Sequence, residues 1–219
     1  MQSFKKFWTT IFPNSSHAGN AAEIASDITE HLPFFLSQGQ RAKISDQLQP
    51  ASLENLPYFE YHNENALLQG DGMGGLIFFS FEKNHCETVG GIILSNSCDI
   101  SADNKRLETP HITFAPVISA SAYKTKLLAA GMKEQDVENK FSDMRKQKVT
   151  NLFWLPKQGK LQDEYIALLS HTYSMPYYAL KKEIKDKMFT LSQAAFYLFL
   201  LKINIHFCRF DENIARFAD

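Results

Sequence analysis

The sequence predicts an α+β domain, a small antiparallel sheet or barrel with a helical insertion and with helices at its N- and C-terminal ends. Three observations predict it. Short runs rich in β-formers, at 58–61, 75–80, 89–95 and 111–117, are separated by clusters of Gly, Asn, Asp and Lys. Two helical patterns then fill 119–148, after which strand-like runs resume at 151–155 and 164–169. A strongly apolar helical run closes the chain between 190 and 208.

Taken in order, Phe4, Phe7, Trp8, Ile11 and Phe12 fall on one helical face, and Pro13 ends that pattern. Lys5 and Lys6 beside these aromatics suit a helix that docks on a partner, on its own domain or on a membrane surface. A second stripe, Ala21, Ile24, Ala25, Ile28 and Leu32, is closed by Pro33. Residues 38–57 lose periodicity and read as a surface excursion with one helical turn near 42–47. Residues 1–57 thus form a helical appendage, and 58–219 form the barrel-like domain.

Within that domain, Glu82-Lys83-Asn84-His85 is a hairpin break between the second and third strands. The insertion comprises a helix over 119–131, with Gly131 as its C-terminal cap, and one over 133–147 with Val137, Phe141 and Met144 facing inward. Pro156 to Lys160 is the turn joining the last two strands, and Thr190 is the expected N-cap of the final helix.

The 219 residues suffice for one sizeable core without crosslinks. Three cysteines, Cys86, Cys98 and Cys208, form no disulfide framework or zinc spacing, which fits a reducing compartment. With 23 basic against 24 acidic side chains the chain has no global attraction to nucleic acid. Any such contact must come from a local patch, either Lys140, Arg145, Lys146 and Lys148 or the lysines of 181–187. Asp143, Glu183 and Asp186 dilute both patches, so the bland alternative is a solvated helix face. The 18 phenylalanines imply a core, and an interface, built on aromatic burial. The opening run is too short and broken for a signal peptide, and Ala194–Leu201 is too short to span a membrane. A cytoplasmic protein without metal or cofactor is expected, since the seven histidines are scattered.

The stretch Gly90-Gly91-Ile92-Ile93-Leu94-Ser95-Asn96-Ser97-Cys98-Asp99-Ile100 is an apolar strand ending in polar and reactive groups. Cys98, with Ser97 and Asp99, is a candidate nucleophile if His111, Lys105 or Arg106 lowers its thiol pKa. The competing reading makes Cys98 a small buried apolar residue and Asp99 a turn cap. Gln69 to Gly75 is glycine-rich but precedes a strand and lacks the Lys-Ser/Thr of a phosphate loop, so it reads as a turn. Asp163 and Glu164 read as solubilising turn residues rather than an acid/base pair.

Gly70-Asp71 opens a strand, Ile92-Ile93-Leu94-Ser95 ends one, and Ile112-Thr113-Phe114-Ala115-Pro116-Val117-Ile118-Ser119 forms another. In these features the sheet segments, over residues 67–180, resemble the MazF/PemK/Kid-type endoribonuclease toxins. The resemblance implies an SH3-like barrel. It does not carry over the catalytic arginine, because the family's Glu-x-x-x-x-Arg-Pro region reads Lys83-Asn84-His85-Cys86-Glu87-Thr88-Val89 here. Ser95-x-Ser-Cys-Asp-Ile, Leu191-Ser-Gln and Ile205-His206-Phe207-x-Arg209 also resemble a group of uncharacterised bacterial proteins. Two functions follow as expectations. The first is a non-catalytic recognition or assembly subunit of a bacterial complex directed against phage or plasmids, binding another protein through Phe4, Phe7, Trp8, Ile11 and Phe12. The second is a toxin-like endoribonuclease or thiol-dependent enzyme built on Ser97, Cys98, Asp99, His111 and Arg106.

Overall fold

The computed structural model describes residues 56–60, 65–81, 83–101, 104, 108–180 and 182–208, with Gly39 alone upstream. Both N-terminal stripes, the turn near 42–47, Lys105, Arg106, Lys181 and Arg209 lie outside these residues. The described chain is α+β, with an antiparallel six-stranded sheet, a separate two-stranded sheet and four α-helices.

Strand β1 (Phe59–Glu60) opens the described part, and β2 (Gly72–Ser80) and β3 (His85–Ile93) form a long hairpin. Its turn puts Asn84 at φ 54°, a left-handed conformation that asparagine tolerates. After one helical turn, α1 (Ser97–Ile100), comes β4 (His111–Ser119). Helices α2 (Ala120–Ala129) and α3 (Glu134–Arg145) follow, as the periodicity predicts. Gly131, at φ +89°, ends α2 as expected, since only glycine takes that conformation at no steric cost. Strands β5 (Leu152–Leu155), β6 (Tyr165–Leu168) and β7 (Tyr173–Pro176) complete the sheet, and β8 (Thr190–Leu191) leads into α4 (Gln193–Cys208).

The runs at 89–95 and 111–117 lie side by side in the sheet. Strands β3 and β4 run antiparallel with Ile92 opposite Ala115 and Ile93 opposite Phe114. On its other edge β4 serves two partners in succession, β7 along His111–Phe114 and β6 along Val117–Ser119. The strand order is β2-β3-β4-β6-β5, with β7 beside β4. At the far side, the Ile77 N–H donates to the Met175 sulfur at 3.1 Å, which draws β2 towards β7 without a backbone ladder.

Three expectations need correction, and one strand is added. The Tyr58–Tyr61 run is not a stave of the main sheet, because Phe59 and Glu60 pair with Leu191 and Thr190 in the separate ribbon. Thr190 therefore lies in a strand, and α4 begins at Gln193, where the Ser192 hydroxyl accepts from the Ala195 N–H at 3.2 Å. Strand β7 was not visible in the sequence, because its four residues include a serine and a proline and are too few to carry a pattern of their own. The lysines of 182–187 do not share a helix face, since this stretch contains only a short 3-10 turn at Ile184–Asp186 and buries Lys187.

Period-two alternation distributes the core. In β5, Phe153 and Leu155 pack towards α4 while Leu152 and Trp154 pack towards α2 and α3, so the strand is buried on both faces. Tyr123, Phe141 and Trp154 form a chain of tilted and edge-on rings at 6.2 and 6.0 Å that fixes the two insertion helices on the sheet. A third cluster, with Met73, Leu76, Ile93, Ile112, Phe114 and Met175, fills the space between β2, β3, β4 and β7.

Candidate functional site

The end of β3 is held by its own polar side chains. The Ser95 hydroxyl accepts from the Thr113 N–H at 2.7 Å and donates to the His111 carbonyl at 3.3 Å, occupying the position of a strand residue opposite β4. The Ser97 hydroxyl accepts from the Gln69 N–H at 2.9 Å, and the Gln69 amide donates to the Leu94 carbonyl at 2.7 Å. Asn96, not Asp99, caps α1, its side-chain oxygen accepting from the Cys98 N–H at 2.9 Å. Ile100 anchors the turn in the core at 2% exposure.

This scaffolding leaves Cys98 exposed with a free thiol, which removes the reading of a buried, inert cysteine. Asp99 and His111 are also exposed. Ser97 and Cys98 therefore share one turn beside the first residues of β4, but the two serine hydroxyls are committed to the backbone. The Asn104 amide donates to the Cys98 carbonyl at 2.9 Å and braces the turn from the far side. What this arrangement offers chemically is one accessible sulfur on a rigid turn.

The glycine-rich loop is built around a buried ion pair. Asp71 is fully buried and its Oδ2 accepts from Lys187 Nζ at 3.0 Å and from the Leu68 N–H at 2.8 Å, while Lys187 also donates to the Ala66 carbonyl at 2.7 Å. Desolvation pushes the Asp71 carboxyl above its usual range, against the pull of the Leu68 N–H and the Lys187 ammonium. The pair ties the loop before β2 to the segment before β8.

The basic residues of α3 are largely engaged. Arg145 reaches Glu164 with two nitrogens, at 3.3 and 3.1 Å, and its guanidinium lies 5.2 Å from the Trp154 ring centre. Lys148 stands 3.9 Å from Asp143, and burial lowers the Lys140 pKa. Lys146 is exposed. Glu164 thus does more than solubilise its turn.

Two exposed phenylalanines mark the tip of the β2–β3 hairpin. Phe81 is 88% and Phe79 40% exposed, and their rings meet edge to face at 5.1 Å. Phe79 lies opposite Cys86, which is also exposed. Beyond Gly91 the hairpin runs past its pairing with β4 and packs through Leu76, Phe78 and Val89 on the cluster beside β7, so that its tip, with Phe79, Phe81 and residues 83–86, is the exposed part. Lys83 and His85 bracket Glu87 along this hairpin, at 2.8 and 3.6 Å.

Sequence reasoning missed Asp71–Lys187, the exposed hairpin aromatics and the buried Lys202. A signal existed for the last, since a single lysine interrupts an otherwise apolar helix. No protein-family model matches the chain, and no curated protein matches it. Among the described residues no helix is long and apolar enough to cross a membrane.

Proposed function

We propose that this chain is a non-catalytic recognition or assembly subunit that binds another protein, in the bacterial, phage- or plasmid-directed setting that the toxin resemblance implies. The observation that carries this reading is the exposed tip of the β2–β3 hairpin, where Phe79 and Phe81 are in contact and one of them is almost wholly in water. A solvent-exposed aromatic pair on a rigid strand scaffold is costly to keep unless a partner covers it. The sequence stripe Phe4, Phe7, Trp8, Ile11 and Phe12, which lies outside the described residues, is the other partner-binding segment of this reading. The scaffold in this reading is an SH3-like barrel, supported by the split partnership of β4 with β6 and β7 and by the Ile77 to Met175 contact.

The test is affinity capture of the tagged full-length chain from its native cells. One set of partners should be retained by the wild type, be lost with Phe79→Ser/Phe81→Ser and weaken with Phe7→Ala/Trp8→Ala. Retention of every partner by both variants overturns the reading.

A second reading, a thiol-dependent or ribonucleolytic site around Cys98 and Asp99, is favoured by the exposure of Cys98. It requires RNA cleavage, or rapid thiol labelling near neutral pH, that Cys98→Ala abolishes. A thiol that reacts no faster than a free cysteine, with intact RNA, excludes it.

A further inference from the structure

The outer edge of β2 is guarded along its first half and bare along its second. β2 ends the strand order, so no strand ladder lies on the side away from β3 among the described residues. Near its start, a bulge between Met73 and Leu76 and the bridge from Gly72 to Phe189 interrupt that edge. Further on, the Ile77 N–H points away from β3 and is taken by the Met175 sulfur at 3.1 Å. Backbone direction alternates along a strand, so Phe79 turns its N–H and C=O the same way as Ile77, and Phe81 continues the alternation.

The side chains on this edge say what pairs with it. No charged residue occurs from Gly72 to Phe81, and Leu76-Ile77-Phe78-Phe79-Ser80-Phe81 is a proline-free run rich in β-formers, the composition with which like strands pair. Strand edges are commonly protected by a charge, a proline or a bulge. The other strand of the hairpin has that protection, since Lys83 and His85 lie 2.8 and 3.6 Å from Glu87. Across the sheet, the Gln147 amide binds both backbone groups of Trp154 and closes the β5 edge. Phe79 to Phe81 is therefore an uncharged, unguarded stretch, and it is complementary to itself. Two copies set antiparallel about a two-fold axis through Ser80 bring Phe79 opposite Phe81 of the other copy, each such pair exchanging both its N–H···O bonds. The rings of both copies then gather in one cluster, which covers Phe81, and no charged side chain of 72–81 is brought against another.

We propose that two copies of this chain associate through the distal edge of β2, pairing Phe79–Phe81 antiparallel with the same residues of the second copy. This rests on the reading of the hairpin tip as a protein-binding surface, and it names a partner for that surface.

The test uses the purified full chain. Light scattering over a dilution series should give the wild type twice the mass of one chain at high concentration, falling to that of one chain on dilution, because so short an interface holds weakly. Phe79→Lys/Phe81→Lys, which sets charge along the edge and leaves the bonds to β3 in place, should keep the mass of one chain throughout, with unchanged far-ultraviolet circular dichroism. In a chain with Cys86, Cys98 and Cys208 changed to serine, Ser80→Cys places a thiol on the two-fold axis. Mild oxidation should then link two chains through residue 80, read as a linked peptide by mass spectrometry. A wild type with the mass of one chain at every concentration, a dimer that persists in the lysine variant, or no link through residue 80 overturns the pairing. The recognition reading survives each of these results. It fails by a different one, the retention of every native-cell partner in the capture experiment.

Discussion

The side-chain amide of Gln147 pairs with both backbone polar groups of Trp154, its oxygen accepting from the Trp154 N–H at 3.2 Å and its nitrogen donating to the Trp154 carbonyl at 2.9 Å. A side chain thereby stands in for a further strand at the β5 end of the sheet, where an open edge otherwise exposes unpaired backbone. The same amide nitrogen lies 3.2 Å from the Tyr58 hydroxyl, and the Gln147 carbonyl accepts from Lys202 at 2.8 Å. One residue after α3 thus joins β5, the β1 approach and α4.

Gln147→Leu should therefore cost about 2–4 kcal/mol, since it leaves the buried Trp154 N–H and C=O without partners. Gln147→Glu should fall between wild type and Gln147→Leu, because it keeps the acceptor and loses the donor. Urea midpoints at constant slope measure both. A loss under 1 kcal/mol for Gln147→Leu would show that water replaces the amide.

Lys202 is buried among apolar residues and donates to the carbonyls of Gln147 and Val149. Burial lowers its pKa from 10.5 to about 7. Between these values the unfolded chain holds a proton that the folded chain has released, so stability should rise with pH from about 7 to about 10, by up to roughly 1.4 kcal/mol per pH unit. Below about 7 both states are protonated and this contribution is flat. Tyr123, raised to about 12 by burial, works in the opposite sense only above about 10, where the unfolded chain ionises first. Lys202→Met should abolish the rise between 7 and 10, read from urea unfolding at stepped pH.

Asp71→Ala should be strongly destabilising, by about 3–5 kcal/mol, because it strands the Lys187 ammonium in the core. The double variant Asp71→Asn/Lys187→Met keeps an acceptor for the Leu68 N–H and removes both charges, so it should recover most of that loss. A double-mutant cycle by thermal or urea unfolding gives the coupling. Strictly additive losses would mean that the two groups act separately.

Gly91→Ala should disrupt the β3–β4 pairing. A Cβ there would stand 2.9 Å from the Ala115 carbonyl oxygen, which is backbone, and 2.8 Å from Leu76. A loss of 2 kcal/mol or more is expected, with faster amide exchange across Ile92 and Phe114. The Ala115 contact is a backbone oxygen, which no change of rotamer can withdraw, so the strands themselves must move.

Much of the fold was legible because it rests on local patterning. Short runs rich in β-formers gave β2 to β6, and the 3.6-residue period gave α2 and α3 with Val137, Phe141 and Met144 inward. The apolar run of the last helix was equally plain, though its start was displaced by a two-residue strand that pairs with Phe59–Glu60, over 120 residues away. Strand β7 was invisible for a related reason, as its identity comes from β4 alone. At the candidate site, the residue types were legible at Ser95–Asp99 but their roles were not. Ser97 reads as a reactive hydroxyl and is a bond to Gln69, and Asp99 reads as a cap where Asn96 does the capping.

The sequence by itself determined the α+β class, the order of most elements and the placement of a reactive-looking stretch at the end of a strand, because alternation, caps and composition act within a few residues of one another. Only the tertiary structure decided that Asp71 meets Lys187, that Gln147 closes the β5 edge, that Cys98 faces water and that Phe79 and Phe81 do too. Burial and hydrogen bonding are properties of the neighbourhood, and these neighbourhoods are assembled from residues up to 121 positions apart.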